Sequence, residues 1–146
     1  MAFQFSLAVV LRLRESVEKR EERALQSIQL DVSRTQQAIE ELSVAIGGAR
    51  RARETALQQA ISGGHLHSLL GEEQVAEHGL RVLLGKLQLL EQERERQMKV
   101  YHAAHQEREM LSGMMEKQKD IYEREWLREE QKRLDDIFMA RRHRVS

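Results

Sequence analysis

The chain has 146 residues, a third of them charged, and its 24 Lys and Arg balance its 24 Asp and Glu. A zero formal net charge gives no general electrostatic reason to bind nucleic acid, and the absence of Cys excludes a disulfide scaffold. Aromatic residues make up only 4% of the chain and Pro is absent, which is untypical of a globular core and typical of long helices or coiled coil.

The chain opens with a short apolar segment, MAFQFSLAVVLRLRE, which Arg12 interrupts. No basic residue precedes the apolar residues and no small-residue cleavage site follows them, so the segment does not fit a signal peptide. It is also shorter than the ~20 apolar residues that cross a bilayer. We therefore expect no direct membrane insertion.

A heptad pattern predicts the first long helix, over residues 6–61. Alternating steps of three and four residues define a seam of Leu25, Ile28, Val32, Thr35, Ile39, Leu42, Ile46, Ala49, Arg53, Ala56 and Ala60. This 3.5-residue period is typical of a left-handed coiled coil. Gly47 and Gly48 each cost a helix roughly 1 kcal/mol relative to Ala, but the pattern keeps its phase across them, which predicts one continuous helix.

Ser62, Gly63 and Gly64 form the strongest turn signal in the chain and predict a turn over residues 62–68. A second heptad pattern then predicts a helix over residues 69–142. Its seam consists of Leu80, Leu83, Leu87, Leu90, Arg94, Gln97, Tyr101, Ala104, Arg108, Leu111, Met115, Gln118 and Tyr122. Polar residues within such a seam weaken its packing but fix its register.

Two long seams joined by a tight turn predict an all-α fold, an antiparallel coiled-coil hairpin that forms a single domain over residues 1–146. Pairing about residues 62–68 places Ala60 near Leu70, Leu42 near Leu87, and Val17 near residues 104–111. Both termini then share one end, with residues beyond about 125 overhanging.

That shared end is predicted to expose an apolar cluster beside arginines. The cluster consists of Phe3, Phe5, Leu7, Leu11, Leu134 and Phe138, with Arg12, Arg14, Arg141 and Arg142 around it. An apolar patch with a charged rim is typical of a binding surface. The alternative is a closed hairpin end with basic termini.

No catalytic or metal-binding constellation is apparent in the sequence. His65 with His67, and His102 with His105, lack the partners that complete a zinc site, and the turn lacks the Lys-Ser/Thr ending of a phosphate loop. A carboxylate cluster of Glu72, Glu73 and Glu77 is interpreted as a solvated face, and Met110, Met114 and Met115 as seam residues. We expect no enzymatic activity, no metal and no cofactor.

Both ends of the sequence resemble the flagellar FliJ family, small export proteins of the bacterial flagellar type III system. The opening matches through Phe5, Leu7, Val10, Leu11, Leu13 and Arg14. The C-terminal segment matches through Lys132, Leu134, Asp135 and Asp136, followed by Arg141 and Arg142.

This resemblance implies a non-enzymatic stalk, similar in fold to the paired terminal helices of the rotary-ATPase gamma subunit. The implied partners are the hexameric flagellar export ATPase, the cytoplasmic domain of the export gate, and export chaperones. The implied location is the cytoplasm, at the inner membrane beneath the flagellum. The ATPase ring is expected to contact Phe5, Leu7, Leu11, Arg14, Leu134 and Phe138.

The export gate is expected to contact one stripe on each helix, nearer to the turn. The stripes consist of Glu41, Ala45, Gly48 and Ala52 on the first helix, and of Val75, Gly79, Val82 and Lys86 on the second. Two alternatives remain open at this point: the equivalent stalk of a virulence secretion system, and a self-associating structural coiled coil. The Phe-rich opening favours the flagellar protein.

Overall fold

The computed structural model describes residues 2–145 and consists of two long helices. Helix α1 spans Ala8–Gln58 and α2 spans Gly63–Val145, and the described residues contain no strand. Charged side chains early in α1 contact residues late in α2, as in the pair Glu18 and Arg108, while those near the end of α1 contact the start of α2, as in Arg53 and Glu73. The two helices therefore pack antiparallel, and the predicted all-α hairpin is confirmed.

The turn lies earlier than the sequence analysis placed it, since α1 ends at Gln58 and α2 begins at Gly63. Ser62 caps α2: its hydroxyl accepts a hydrogen bond from the His65 N–H at 3.2 Å, and its carbonyl accepts one from the Leu66 N–H at 3.1 Å. Ser is a favoured N-cap, and both following glycines adopt ordinary helical backbone angles. Residues 63–68, predicted as turn, are therefore helical.

This earlier turn changes which residues of the two helices face each other. A Cβ atom added at Gly79 would lie 3.4 Å from Leu42 Cδ2, so Leu42 packs beside Gly79 and not beside Leu87. Ala60, predicted to pair with Leu70, lies in the turn and is exposed. Near the turn, the predicted register was therefore wrong by about one heptad. The prediction that Val17 lies near residues 104–111 agrees with the structure, because the neighbouring Arg14 and Glu18 contact Glu107 and Arg108.

One compact unit, Glu21–Tyr101, contains the turn and most of the seam. Val32 and Ile46 are its most buried apolar residues, and every α1 seam position from Leu25 to Ala56 is buried or half-buried. Helix α1 passes through Gly47 and Gly48 without a break. The α2 seam starts earlier than predicted, with Leu66, Leu69, Glu73 and Ala76. Glu73 is only 6% exposed, so its interpretation as a solvated carboxylate was wrong.

The other compact unit, Met1–Arg20 with His102–Ser146, contains the apolar opening. Phe5, Leu11 and Ala104 are buried there, and the rings of Phe3 and Tyr122 lie 5.5 Å apart at a tilt of 52°. The opening thus meets α2 near Tyr122. From residue 123 to residue 145, α2 continues with every described side chain exposed except that of Glu130, which is half-buried. We call residues 123–145 the tail helix.

Candidate partner-binding surfaces

Glu73 occupies a seam position and is held by two arginines of α1. The Arg53 Nη1 donates a hydrogen bond to Glu73 Oε2 at 2.6 Å, and the Arg50 Nε donates one to Oε1 at 3.2 Å. Arg50 also bonds Glu77 at 2.8 Å; the bonds to Glu77 and then to Glu73 raise the pKa of Arg50. Glu73 and Glu77 are thus ion-paired with arginines of α1, which joins the two helices near the turn.

Continued back from Leu25 by four and then three residues, the α1 seam includes Glu21 and Glu18, both half-buried. Glu18 lies in the unit that contains the termini. The Arg108 Nε donates a hydrogen bond to Glu18 Oε2 at 2.5 Å, and the His105 Nδ1 lies 3.3 Å from Glu18 Oε1. The hydrogen bond from Arg108 lowers the pKa of Glu18, against an opposing effect of burial. His105 Nε2 lies 3.2 Å from Glu109 Oε1. This cluster joins the two helices and leaves His105 between carboxylates.

The third polar contact of the seam joins Gln97 and Glu21. Gln97 Nε2 donates hydrogen bonds to Glu21 Oε2 at 2.7 Å and to the Glu21 carbonyl at 3.1 Å. Two of the polar residues predicted in the α2 seam, Gln97 and Arg108, therefore have complementary partners on α1. Arg94 is half-buried and Gln118 is exposed.

The cluster predicted for the ATPase ring does not form as one patch. Phe5 and Leu11 are 8% and 6% exposed, whereas Leu134 and Phe138 are 58% and 65% exposed. Phe138 lies sixteen residues beyond Tyr122 in the same helix, or about 24 Å further along its axis. The predicted cluster was wrong because the opening packs at Tyr122 and α2 continues past it.

The two remaining ring residues lie with the buried group. Leu7 and Arg14 are half-buried, and the Arg14 Nη1 donates a hydrogen bond to Glu107 at 2.6 Å. The six expected ring residues thus divide into four that belong to the hairpin and two that belong to the tail helix. Only the latter two are fully available to a partner.

The exposed apolar residues of the tail helix form a stripe of their own. At about 100° per residue, Leu127, Leu134, Phe138 and Val145 all lie roughly 120–160° round the helix from Tyr122. Their exposed fractions are between 58% and 90%. The seam residues of α2 face α1, so this tail stripe, on the other side of the helix, faces away from α1. The sequence predicted Leu134 and Phe138 as part of the terminal cluster, but not this change of phase or the extension of the stripe to Val145.

The two stripes predicted for the export gate share one side of the turn-containing unit. Arg50 and Glu77 each follow a seam residue and meet on one side of the hairpin. Residues that precede a seam position therefore lie together on the opposite side, among them Ala45 and Gly79.

This second side carries small or apolar residues at most positions of both stripes: Ala45, Gly48 and Ala52 on α1, and Val75, Gly79 and Val82 on α2. Val75 and Val82 are 73% and 58% exposed, Glu41 and Lys86 are exposed, and Gly48 and Gly79 are half-buried. Leu89, one heptad beyond Val82, is 67% exposed and extends the stripe. We call this surface the small-residue face.

The sequence matches the family described as "Flagellar FliJ protein" over residues 3–146. The chain belongs to the FliJ family. No curated protein and no solved structure matches it. Membership of the FliJ family makes the chain a component of the flagellar export apparatus, with roles in flagellar biogenesis and type III protein export. The match includes the tail helix as well as the apolar opening.

Proteins of the FliJ family are non-catalytic components of that apparatus. Within residues 2–145, no group of three His, Cys, Asp or Glu side chains is arranged to hold a metal ion. No described helix is sufficiently long and apolar to cross a membrane. In this FliJ-family chain, the tail stripe and the small-residue face both present exposed apolar side chains.

Proposed function

We propose that this FliJ-family chain is the stalk of the hexameric flagellar export ATPase and enters the ATPase ring by its tail helix. One observation carries the proposal: α2 continues for 23 described residues beyond Tyr122, whose ring packs against Phe3, and this extension bears an exposed apolar stripe. A helix with such a stripe is suited to a surrounding protein surface that removes the stripe from water.

The proposed mechanism is mechanical and needs no chemistry from the chain itself. A helix with one apolar side contacts the near-identical subunits of a ring unequally. Binding energy that differs between subunit conformations shifts their populations. The stalk thereby biases which subunit closes, or favours assembly of the ring.

The residues expected at the ring divide into two roles in this proposal. Leu134 and Phe138 contact the ATPase subunits directly. Phe5 and Leu11 are buried, so they hold the N-terminal segment against α2 at the base of the tail helix. In this proposal Leu7 contacts the rim of the ring, whereas Arg14 pairs with Glu107, fifteen residues before Tyr122, and joins the two helices.

The second partner in the proposal is the cytoplasmic domain of the export gate, at the small-residue face. Small residues allow a partner's backbone to approach closely, and Val75, Val82 and Leu89 supply apolar area. Export chaperones are a third proposed class of partner. The proposed location is the cytoplasm, at the inner membrane beneath the flagellum.

The tail-helix assignment is tested with two neighbouring exposed residues. Phe138→Asp places a charge in the tail stripe, whereas Met139→Asp places the same charge about 100° round the helix, outside the stripe. Phe138 and Met139 are 65% and 61% exposed, so neither change disturbs the hairpin. We expect Phe138→Asp to weaken binding to the export ATPase by at least about tenfold, as for loss of an interface anchor, and Met139→Asp to leave it nearly unchanged.

Titration of the labelled chain with the assembled ATPase, followed by fluorescence anisotropy, gives both affinities. Equal affinities for the two variants and the wild type would place the ring contact elsewhere on the chain. Leu11→Asp is a poor substitute for this test because Leu11 is buried and its loss would disturb the hairpin itself.

A further inference from the structure

The tail helix carries a second coiled-coil repeat that its own chain leaves uncovered. Alternating steps of four and three residues give Leu127, Gln131, Leu134, Phe138, Arg141 and Val145, which we call the tail repeat. This is the 3.5-residue period of a coiled coil, and all six side chains are exposed. The repeat is out of phase with the α1–α2 seam, so a helix that packs against it is a helix other than α1.

The tail repeat is symmetric about Asp136. Leu134 and Phe138 lie two residues to either side of it, Gln131 and Arg141 five residues, and Leu127 and Val145 nine residues. A second copy of the helix running antiparallel therefore places Leu134 opposite Phe138 and Leu127 opposite Val145. Two-fold symmetry forms each of these contacts twice, as in any isologous interface.

The charges beside the repeat agree with the same antiparallel register. Asp135 and Arg142 each follow a residue of the repeat, as Arg50 and Glu77 each follow a seam residue where they form an ion pair between α1 and α2. Antiparallel pairing therefore places Asp135 of each copy beside Arg142 of the other. Parallel pairing in register would instead stack Arg141 on Arg141, a like-charge contact that disfavours it.

From this symmetry we infer that the tail helix pairs with the tail helix of a second copy of this chain, antiparallel, through the tail repeat. The tail helix is already formed as a continuation of α2, so pairing does not bear the cost of helix nucleation. The paired length is about 28 Å at 1.5 Å per residue. A seam this short, with two polar positions, gives a dimer that forms only as concentration rises.

The tail repeat lies apart from the contact made by the N-terminal segment. In this register Val145 of the second copy lies opposite Leu127, five residues from Tyr122, whose ring packs against Phe3. Leu134 and Phe138 also belong to the surface proposed for the ATPase ring, so self-pairing would compete with ring binding. The self-pairing itself does not depend on the ring proposal.

A charge swap tests the proposed dimer. Sedimentation velocity across a wide concentration range compares the wild type with Asp135→Arg, Arg142→Asp and the double variant. We expect the wild type to pass from monomer to dimer, each single variant to associate at least tenfold more weakly, and the double variant to recover the wild-type affinity. A wild type that stays monomeric, or a double variant no tighter than the singles, would overturn the inference.

Cross-linking tests the antiparallel orientation. The chain has no Cys, so Gln131→Cys and Arg141→Cys each introduce one thiol. Under oxidation, a mixture of the two variants should form the cross-linked heterodimer, while neither variant alone cross-links efficiently. Efficient cross-linking of Gln131→Cys with itself, or no cross-linking in the mixture, would show that this pairing does not occur. Because neither experiment includes the ATPase, failure of the ring proposal would leave both results unaffected.

Discussion

Three acidic side chains of the seam, Glu18, Glu21 and Glu73, each meet a polar or basic partner on the other helix. Ion pairs removed from water add little net stability because desolvation offsets their attraction. These pairs have a larger effect on which register the two helices adopt than on their net stability. A shift by one heptad would move Glu73 from Arg53 to Ile46 or Ala60 and leave a buried charge without a partner. These residues therefore select one register among those that the apolar seam alone permits.

The Arg53–Glu73 pair predicts a difference between single and double substitution. Arg53→Leu removes the shorter hydrogen bond to a carboxylate that is 6% exposed, and we expect it to lower the free energy of unfolding by about 1–3 kcal/mol. The double variant Arg53→Leu with Glu73→Leu should recover most of this loss, since no buried charge remains. Urea unfolding followed by far-UV circular dichroism measures both changes. An unchanged stability for Arg53→Leu would contradict the proposed importance of this pair.

Glu18 predicts the pH dependence of stability. Its pKa is lowered in the folded chain from the usual 4.5, chiefly by the hydrogen bond from Arg108. The unfolded chain therefore binds the proton more readily, so the pair stabilises the fold above about pH 4.5 and loses this contribution as pH falls through the folded-state pKa. We expect the wild type to have a higher Tm than Glu18→Gln at neutral pH, and the difference to narrow in acid.

Thermal unfolding of the two proteins over a series of pH values measures that difference directly. All other carboxylates are common to both proteins, so their titration cancels in the comparison. A Tm difference that stays constant from neutral pH into acid would mean that the ionised form of Glu18 contributes nothing to the hairpin.

At the scale of the helices, α1 has 51 residues and follows one unbroken heptad pattern, whereas α2 has 83 residues and follows the seam pattern and then, out of phase with it, the tail repeat. The pattern predicted α1 correctly across Gly47 and Gly48, since packing along the seam outweighs the low helix propensity of two glycines. The predicted position of the turn, residues 62–68, was wrong because α2 begins at Gly63. Gly63 and Gly64 are turn signals by composition, but the Ser62 cap directs the chain into α2 at once.

The same two glycines of α1 provide a matched pair for the proposed gate contact. Gly47 and Gly48 both have open space around the position of a Cβ atom, but Gly48 lies toward the small-residue face and Gly47 toward the opposite side. Each change to Arg should raise helix stability by about 0.5–1 kcal/mol. Only Gly48→Arg should weaken binding to the cytoplasmic domain of the export gate, by about tenfold, or 1.4 kcal/mol.

Isothermal titration calorimetry with that gate domain compares the two variants. An equal loss of affinity in both would point to a general effect of added charge. Full affinity in both would remove the small-residue face as the gate contact.

At the scale of the whole molecule, the difference in length between the helices decides which apolar residues are exposed. The sequence predicted one cluster of Phe5, Leu11, Leu134 and Phe138, because the termini of a hairpin share an end. The structure buries the first two and exposes the last two. The apolar opening meets α2 at Tyr122, and the residues of α2 beyond Tyr122 have no part of α1 opposite them.

The sequence by itself determined the two helices, their shared seam and the family. These follow from local periodicity and from the residues at the two ends, and neither depends on how distant segments meet. Only the tertiary structure decided the register, the burial of Glu73 and the exposure of the tail stripe. A heptad pattern looks the same after a shift of seven residues, so the pairing of the helices depends on where the turn begins and on which polar residues find partners across the seam.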